Sequence, residues 1–132
     1  MSLITKSILA PIEKEDGWRI SVMSRHTLED GVTPDERIGQ ERYNEHMIDL
    51  APSPKLIGDY YKRGLSWEDY KKRYLTELND PSKTKLVKKL ASRALKENIT
   101  ILCIEEKPDF CHRRLLAEEC KKYEPELGVI LK

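Results

Sequence analysis

The last third of the chain constrains the fold most. Ile99 to Glu105 (ITILCIE) is a β-branched apolar run, Cys111 to Lys122 (CHRRLLAEECKK) has helical periodicity, and Gly128 to Leu131 (GVIL) is apolar again. Strand, helix and strand at this spacing predict a right-handed βαβ unit, which requires two parallel strands in one sheet. The expected fold is therefore α/β: a single three-layer α/β/α-like domain over residues 1–132, with a sheet that is at least partly parallel. Open sheets of this kind bind ligands beyond the C-terminal ends of their strands. The turn between Glu105 and Cys111 is thus the first place to look for a site.

Upstream, Leu3 to Leu9 and Trp18 to Met23 read as strands, the second because Trp18, Ile20 and Val22 alternate with Arg19 and Ser21. Between them Asp16-Gly17 favours a reversal. Ser24 to Gln40 is polar and broken by Gly31, Pro34 and Gly39, so a long loop is expected there, with at most a helical turn near Pro34 to Arg37. Tyr43 to Leu50 reads as a strand that Ala51-Pro52-Ser53-Pro54 ends. Three helices follow. Ser53 caps one that begins at Pro54 and stops at Gly64, Ser66 with Asp69 opens Trp67 to Leu78, and Asp80 caps Pro81 to Glu97.

Charge narrows the partners. With 24 basic and 23 acidic residues the net charge is +1, so no whole-molecule field draws the chain to nucleic acid or to a membrane. The lysines of the third helix (Lys85, Lys88, Lys89, Arg93, Lys96) read as a solvated face, and Tyr60, Tyr61, Tyr70 and Tyr74 fall at amphipathic spacing, which reads as packing rather than nucleic-acid stacking. No apolar run reaches the roughly 20 residues a membrane helix needs. Three cysteines, an odd number, with no signal-peptide pattern ahead of them, point to reduced thiols and a cytoplasmic setting. Charged residues make up 36% of the chain while Asn and Gln together number four, a balance expected of a thermophilic source.

The chemistry gathers at Cys111-His112-Arg113-Arg114. With Asp109 as cap, Cys111, His112 and Arg113 would fill the first helical turn, where free amides and the helix dipole lower a thiol pKa to about 3.5–7.5. Cys111 is then the candidate nucleophile, with His112 as proton carrier. The competing reading is a small buried residue that fixes the helix to the sheet. Arg113 and Arg114 in a first turn oppose the dipole and call for an anion. That anion is either internal (Glu105, Glu106, Asp109, Glu118) or a bound phosphate or carboxylate. If the neighbouring strands run parallel, Arg25, His26, Asp49 and Ser53 reach the same rim. The expected ligand set is Arg25, Arg113, Glu105, Ser53 and His26 around a small anionic ligand. No motif calls for a cofactor. Phosphatase-like spacing is absent, since Cys111 has arginines at plus two and plus three. Metal is not expected, because adjacent Cys111 and His112 chelate poorly and no C-x2-C partner exists. Cys103 reads as core, and Cys120 points to the opposite side of its helix.

Four segments also resemble one family in the right order. Asp16-Gly17-Trp18-Arg19-Ile20 is similar to an Asp-Gly-x-Arg-hydrophobic opening, and Leu50-Ala51-Pro52-Ser53 to a Leu-Ala-Pro-Ser segment. Trp67, Tyr70, Tyr74 and Glu77-Leu78 resemble a Trp-x-x-Phe-x-x-x-Tyr-x-x-Glu-Leu helix. Cys103, Glu105, Cys111, His112 and Arg113 resemble a Cys-x-Glu and Cys-His-Arg signature. These are the marks of the domain of unknown function 488 (DUF488) family, including its short YeaO-like branch. One departure stands out: where that branch has Asp-Arg-x-Trp-Pro-Arg-Gly, this chain has Ser24 to Gly31, keeping Arg25 and Gly31 but not the Trp-Pro-Arg. The resemblance implies a compact α/β domain of unestablished biochemical role. Three functions stay open: a Cys111-dependent enzyme, a non-enzymatic binder of nucleotide or nucleic-acid phosphate, and a structural or interaction module. The sequence sets neither the substrate nor the oligomeric state.

Overall fold

A computed structural model describes all 132 residues. Five strands, β1 (Ser2–Ser7), β2 (Trp18–Ser21), β3 (Glu45–His46), β4 (Ile99–Cys103) and β5 (Gly128–Leu131), form one sheet in the order β3-β2-β4-β1-β5. Every pairing is parallel. Four helices accompany them: α1 (Pro54–Lys62), α2 (Trp67–Leu78), α3 (Pro81–Ala94) and α4 (His112–Tyr123).

Strand order fixes where the helices lie. The connections β3 to β4 and β4 to β5 step one way across the sheet, over β2 and β1 respectively, while β1 to β2 and β2 to β3 step the other way. Right-handed crossovers place the two sets on opposite faces. All four helices belong to the first set, and α3 and α4 pack on β1 and on each other. The same face of the strands supplies Leu3, Ile20, Ile99 and Ile101 to a 19-residue core with Leu56, Tyr70, Tyr74, Leu90 and Leu116. The third layer, on the opposite face, is built of loop and three-ten turn.

Local sequence accounts for the helix starts. The Ser53 and Ser66 hydroxyls accept from the Leu56 and Asp69 amides, and the Asp80 carboxylate from the Ser82 amide. Gly64 leaves α1 at φ +75°, a conformation open to glycine. Four expectations are corrected. The first two strands are not neighbours across an Asp-Gly reversal; β4 lies between them, and Lys14–Asp16 forms a three-ten turn from which Gly17 (φ +64°) enters β2. Strand structure in Tyr43 to Leu50 is confined to Glu45–His46, because Ile48–Leu50 coils into a three-ten turn. The third helix ends at Ala94, and the cap of α4 is Cys111, not Asp109.

The loop face hides a charge network. Asp16 is fully buried and accepts from Lys6 (3.0 Å) and from Arg19, both themselves buried. The Thr100 hydroxyl donates to the Asp16 carbonyl at 2.7 Å, and Arg19 Nε donates to the Arg42 carbonyl at 2.8 Å. Burial pushes the Asp16 carboxyl up, but the Glu13 amide, Lys6 and Arg19 outweigh it and hold its pKa below the usual range. Asp16 thus stabilises the fold fully above its unfolded value of about 3.9, and that contribution is lost as pH falls through the lower folded value. Replacing Asp16 by Ala strands two buried cations and should cost about 3–5 kcal/mol in denaturant unfolding. A cost under about 1 kcal/mol, the range of exposed pairs, would contradict this account of the network.

Candidate functional site

β4 ends at Cys103, directly before the turn that leads to α4, and Cys103 packs with Cys111, Ile8, Met23, Ile38 and Leu102 in a second, smaller apolar cluster. Cys111 is the extended N-cap residue of α4 (φ −124°, ψ 140°) and His112 its first helical residue. Both side chains turn back toward the strand. The sulfurs of Cys103 and Cys111 and a ring nitrogen of His112 lie within 4.8 Å of one another, with Cys103 Sγ 3.8 Å from His112 Nδ1. All three residues are at most 4% exposed. His112 Nε2 sits 2.7 Å from the Val22 carbonyl. A carbonyl only accepts, so Nε2 carries a hydrogen and Nδ1 faces the sulfur.

The two thiols are not equivalent. Hydrogen bonding from Cys111 is the largest influence on Cys103; with the Arg113 charge and the Glu105 and Ile104 amides it outweighs burial and lowers the Cys103 pKa. Cys111 moves the other way, raised by burial first and then by its bond to Cys103. The lowering expected at Cys111 is thus found at Cys103, the residue read as core. Cys120 is remote from both; burial lifts it to about 12 and its sulfur lies 3.8 Å from the Val87 carbonyl.

Arg113 is fully buried. Its guanidinium donates to the main-chain oxygens of Glu105 (2.8 Å), Glu106 (3.5 Å) and Lys132 (3.1 Å), and its Nε has no partner. It braces the turn from within rather than reaching for a ligand. The Glu105 side chain accepts from the Tyr61 hydroxyl at 2.6 Å, while Phe110, in the same turn, packs edge-on against Trp67. Arg114 lies over the Trp67 ring. Tyr74 meets the His112 ring edge-on at 5.4 Å and donates to the Leu50 carbonyl. The tyrosines of α1 and α2 therefore wall the cysteine cluster as well as pack. Sequence reasoning missed Cys103 and these tyrosines as site residues, and the Cys-x-Glu resemblance was the one signal for Cys103.

The other expected ligands lie apart from that cluster. Arg25 and Ser53 line an open groove with Asp49, Glu77, Asp80 and Lys83, and Arg25 donates to the Gly31 carbonyl. The anion at the α1 N-terminus is internal: Glu77 accepts from the Ser53 amide (2.9 Å) and hydroxyl (2.6 Å). His26 is on the loop face, where its Nε2 is 2.8 Å from the Ser21 hydroxyl and its ring stacks on His46 at 4.1 Å. His46 Nε2 in turn is 2.6 Å from the Met23 carbonyl. All three histidines of the chain thus grip consecutive residues, Ser21, Val22 and Met23, where β2 ends.

An all-parallel sheet with a thiol–imidazole cluster at the C-terminal end of a central strand defines an α/β domain with a candidate site in a βα turn. The family model described as DUF488-N3a, Active DUF488-N3 subclade, matches residues 3–124, and the chain belongs to the DUF488 family. No curated protein and no solved structure matches it. No helix is long and apolar enough to cross a membrane.

Burial, and then the charge of His46, lowers His26 from 6.5 to about 4. Its contribution to stability is full above the unfolded value and is lost as pH falls toward the folded one. A ring-proton NMR titration should place His26 near 4 and move it upward in His46→Asn. A His26 midpoint near 6.5 would contradict the stacked arrangement.

Proposed function

We propose that the chain is a cysteine-dependent enzyme acting on a small electrophilic, anionic substrate, with Cys103 rather than Cys111 as its nucleophile. What supports this reading is the convergence on one sulfur: the Cys111 thiol, His112 Nδ1, the Ile104 and Glu105 amides and the Arg113 charge all favour a negative Cys103. Transfer of the Cys103 proton to His112 gives a thiolate–imidazolium pair in which both ring N–H groups have acceptors, the sulfur and the Val22 carbonyl. The sulfur then bonds to the electrophilic atom, the bond to the leaving group breaks, and His112 returns its proton to that group. Negative charge on the substrate is favoured where the turn amides and the α4 N-terminus meet. The depth of Cys103 restricts the substrate to a small group.

Alkylation by iodoacetamide in the native state, read site by site by mass spectrometry, tests this. Cys103 should label fastest at neutral pH, and His112→Gln should slow it by about a hundredfold or more, the lower end for a lost general base. If Cys111 labels first, or Cys103 is as inert as Cys120, Cys103 is not the nucleophile.

A further inference from the structure

Two thiols and an imidazole on one point are also the donors of a thiophilic metal. Sequence adjacency argues against Cys111 and His112 chelating together, yet the backbone removes that obstacle. Cys111 is extended and lies outside the helix, His112 begins it, and both side chains reach Cys103. The imidazole has the tautomer a ligand needs, since the Val22 carbonyl holds Nε2–H and leaves the Nδ1 lone pair facing the sulfurs. That carbonyl is the kind of outer partner that orients metal-bound histidines.

We propose that Cys103, Cys111 and His112 form a zinc-type metal site, with two sulfurs and Nδ1 as donors and one coordination position left to an exogenous ligand. Zn–S near 2.3 Å and Zn–N near 2.0–2.1 Å put tetrahedral donors roughly 3.4–3.8 Å apart. Cys103 Sγ and His112 Nδ1 are already 3.8 Å apart and all three donors lie within 4.8 Å, so closure takes side-chain adjustments of about an ångström. Two thiolates neutralise a divalent ion, which matters where all three ligands are shut from water. Soft sulfur donors favour zinc-like ions over magnesium or calcium. Binding expels the thiol protons and occupies the Cys103 lone pair, so metal occupancy and nucleophilic attack by Cys103 exclude each other. The inference goes beyond the nucleophile reading and does not rest on it.

Cobalt(II) added to the reduced, metal-free full-length chain under anaerobic conditions is the test. The expected result is a saturable one-to-one complex with a thiolate-to-cobalt charge-transfer band and the visible bands of a tetrahedral site, displaced by zinc. One equivalent of zinc should protect Cys103 and Cys111 of the unmodified chain from alkylation. Cys120→Ser should keep the cobalt spectrum and Cys103→Ser should lose it, with circular dichroism checking that each variant is folded. No saturable complex, a spectrum without thiolate bands, or binding of copper(I) but not of cobalt or zinc overturns the proposal. The two readings fail separately. Fast labelling of Cys103 with no cobalt band removes the metal site alone. A cobalt band with Cys103 no faster than Cys120 in the metal-free chain removes the nucleophile alone.

Discussion

A guanidinium with no access to water holds the β4–α4 turn together. Arg113 donates to main-chain oxygens of the β4–α4 turn and of the last residue, Lys132, and so fixes the start of α4 against the end of β4. A buried cation is costly unless its hydrogen bonds are met and its charge is answered. The carbonyls meet the first need, and no side-chain carboxylate pairs with Arg113. Its charge acts instead on Cys103. One side chain thereby fixes the geometry of the cysteine cluster and adds to the Cys111 hydrogen bond in favouring charge on Cys103.

The sheet separates two kinds of polar structure. On the helix face, apolar packing leads up to Tyr74 and the His112 ring, and the thiols of Cys103 and Cys111 pack at the strand ends with Ile8, Ile38 and Leu102. On the loop face, Lys6, Asp16 and Arg19 do structural work in place of a helix layer, and His26 and His46 cover the end of β2. Both faces meet at Ser21 to Met23. The carbonyl of Val22 orients His112 from one side while the histidines of the loop bind its neighbours from the other. The long segment after β2 is tied to the cysteine cluster through these three residues of backbone and also directly, since its Ile38 packs in one apolar cluster with Cys103 and Cys111.

Much of this was legible because it is local. Ser53-Pro54, Ser66 and Asp80-Pro81 mark helix starts through bonds that close within four residues, and the terminal strand–helix–strand pattern forces parallel pairing. What escaped depends on distant partners. Nothing in Leu3 to Met23 reveals that β4 inserts between the first two strands, so the Asp-Gly signal suggests a hairpin that does not form. The importance of Cys103 comes from strand parity and from α4 folding back over it, neither of which its neighbours in sequence encode. Arg113 looked like a ligand hook because a cation in a first helical turn needs an anion; its inward direction follows from carbonyls contributed by residues up to 19 positions away.

The claim beneath the proposed function is that the native fold makes Cys103 the most readily ionised of the three thiols. The most direct measurement is thiolate ultraviolet absorbance of the reduced, metal-free chain followed against pH, compared with Cys103→Ser and with the unfolded protein. The account predicts that thiolate absorbance of the native chain develops at lower pH than in the unfolded protein, where an ordinary cysteine titrates near about 8.5, and that this early step is gone in the variant. Native absorbance that develops at no lower pH than in the unfolded chain, or is unchanged in Cys103→Ser, would contradict it.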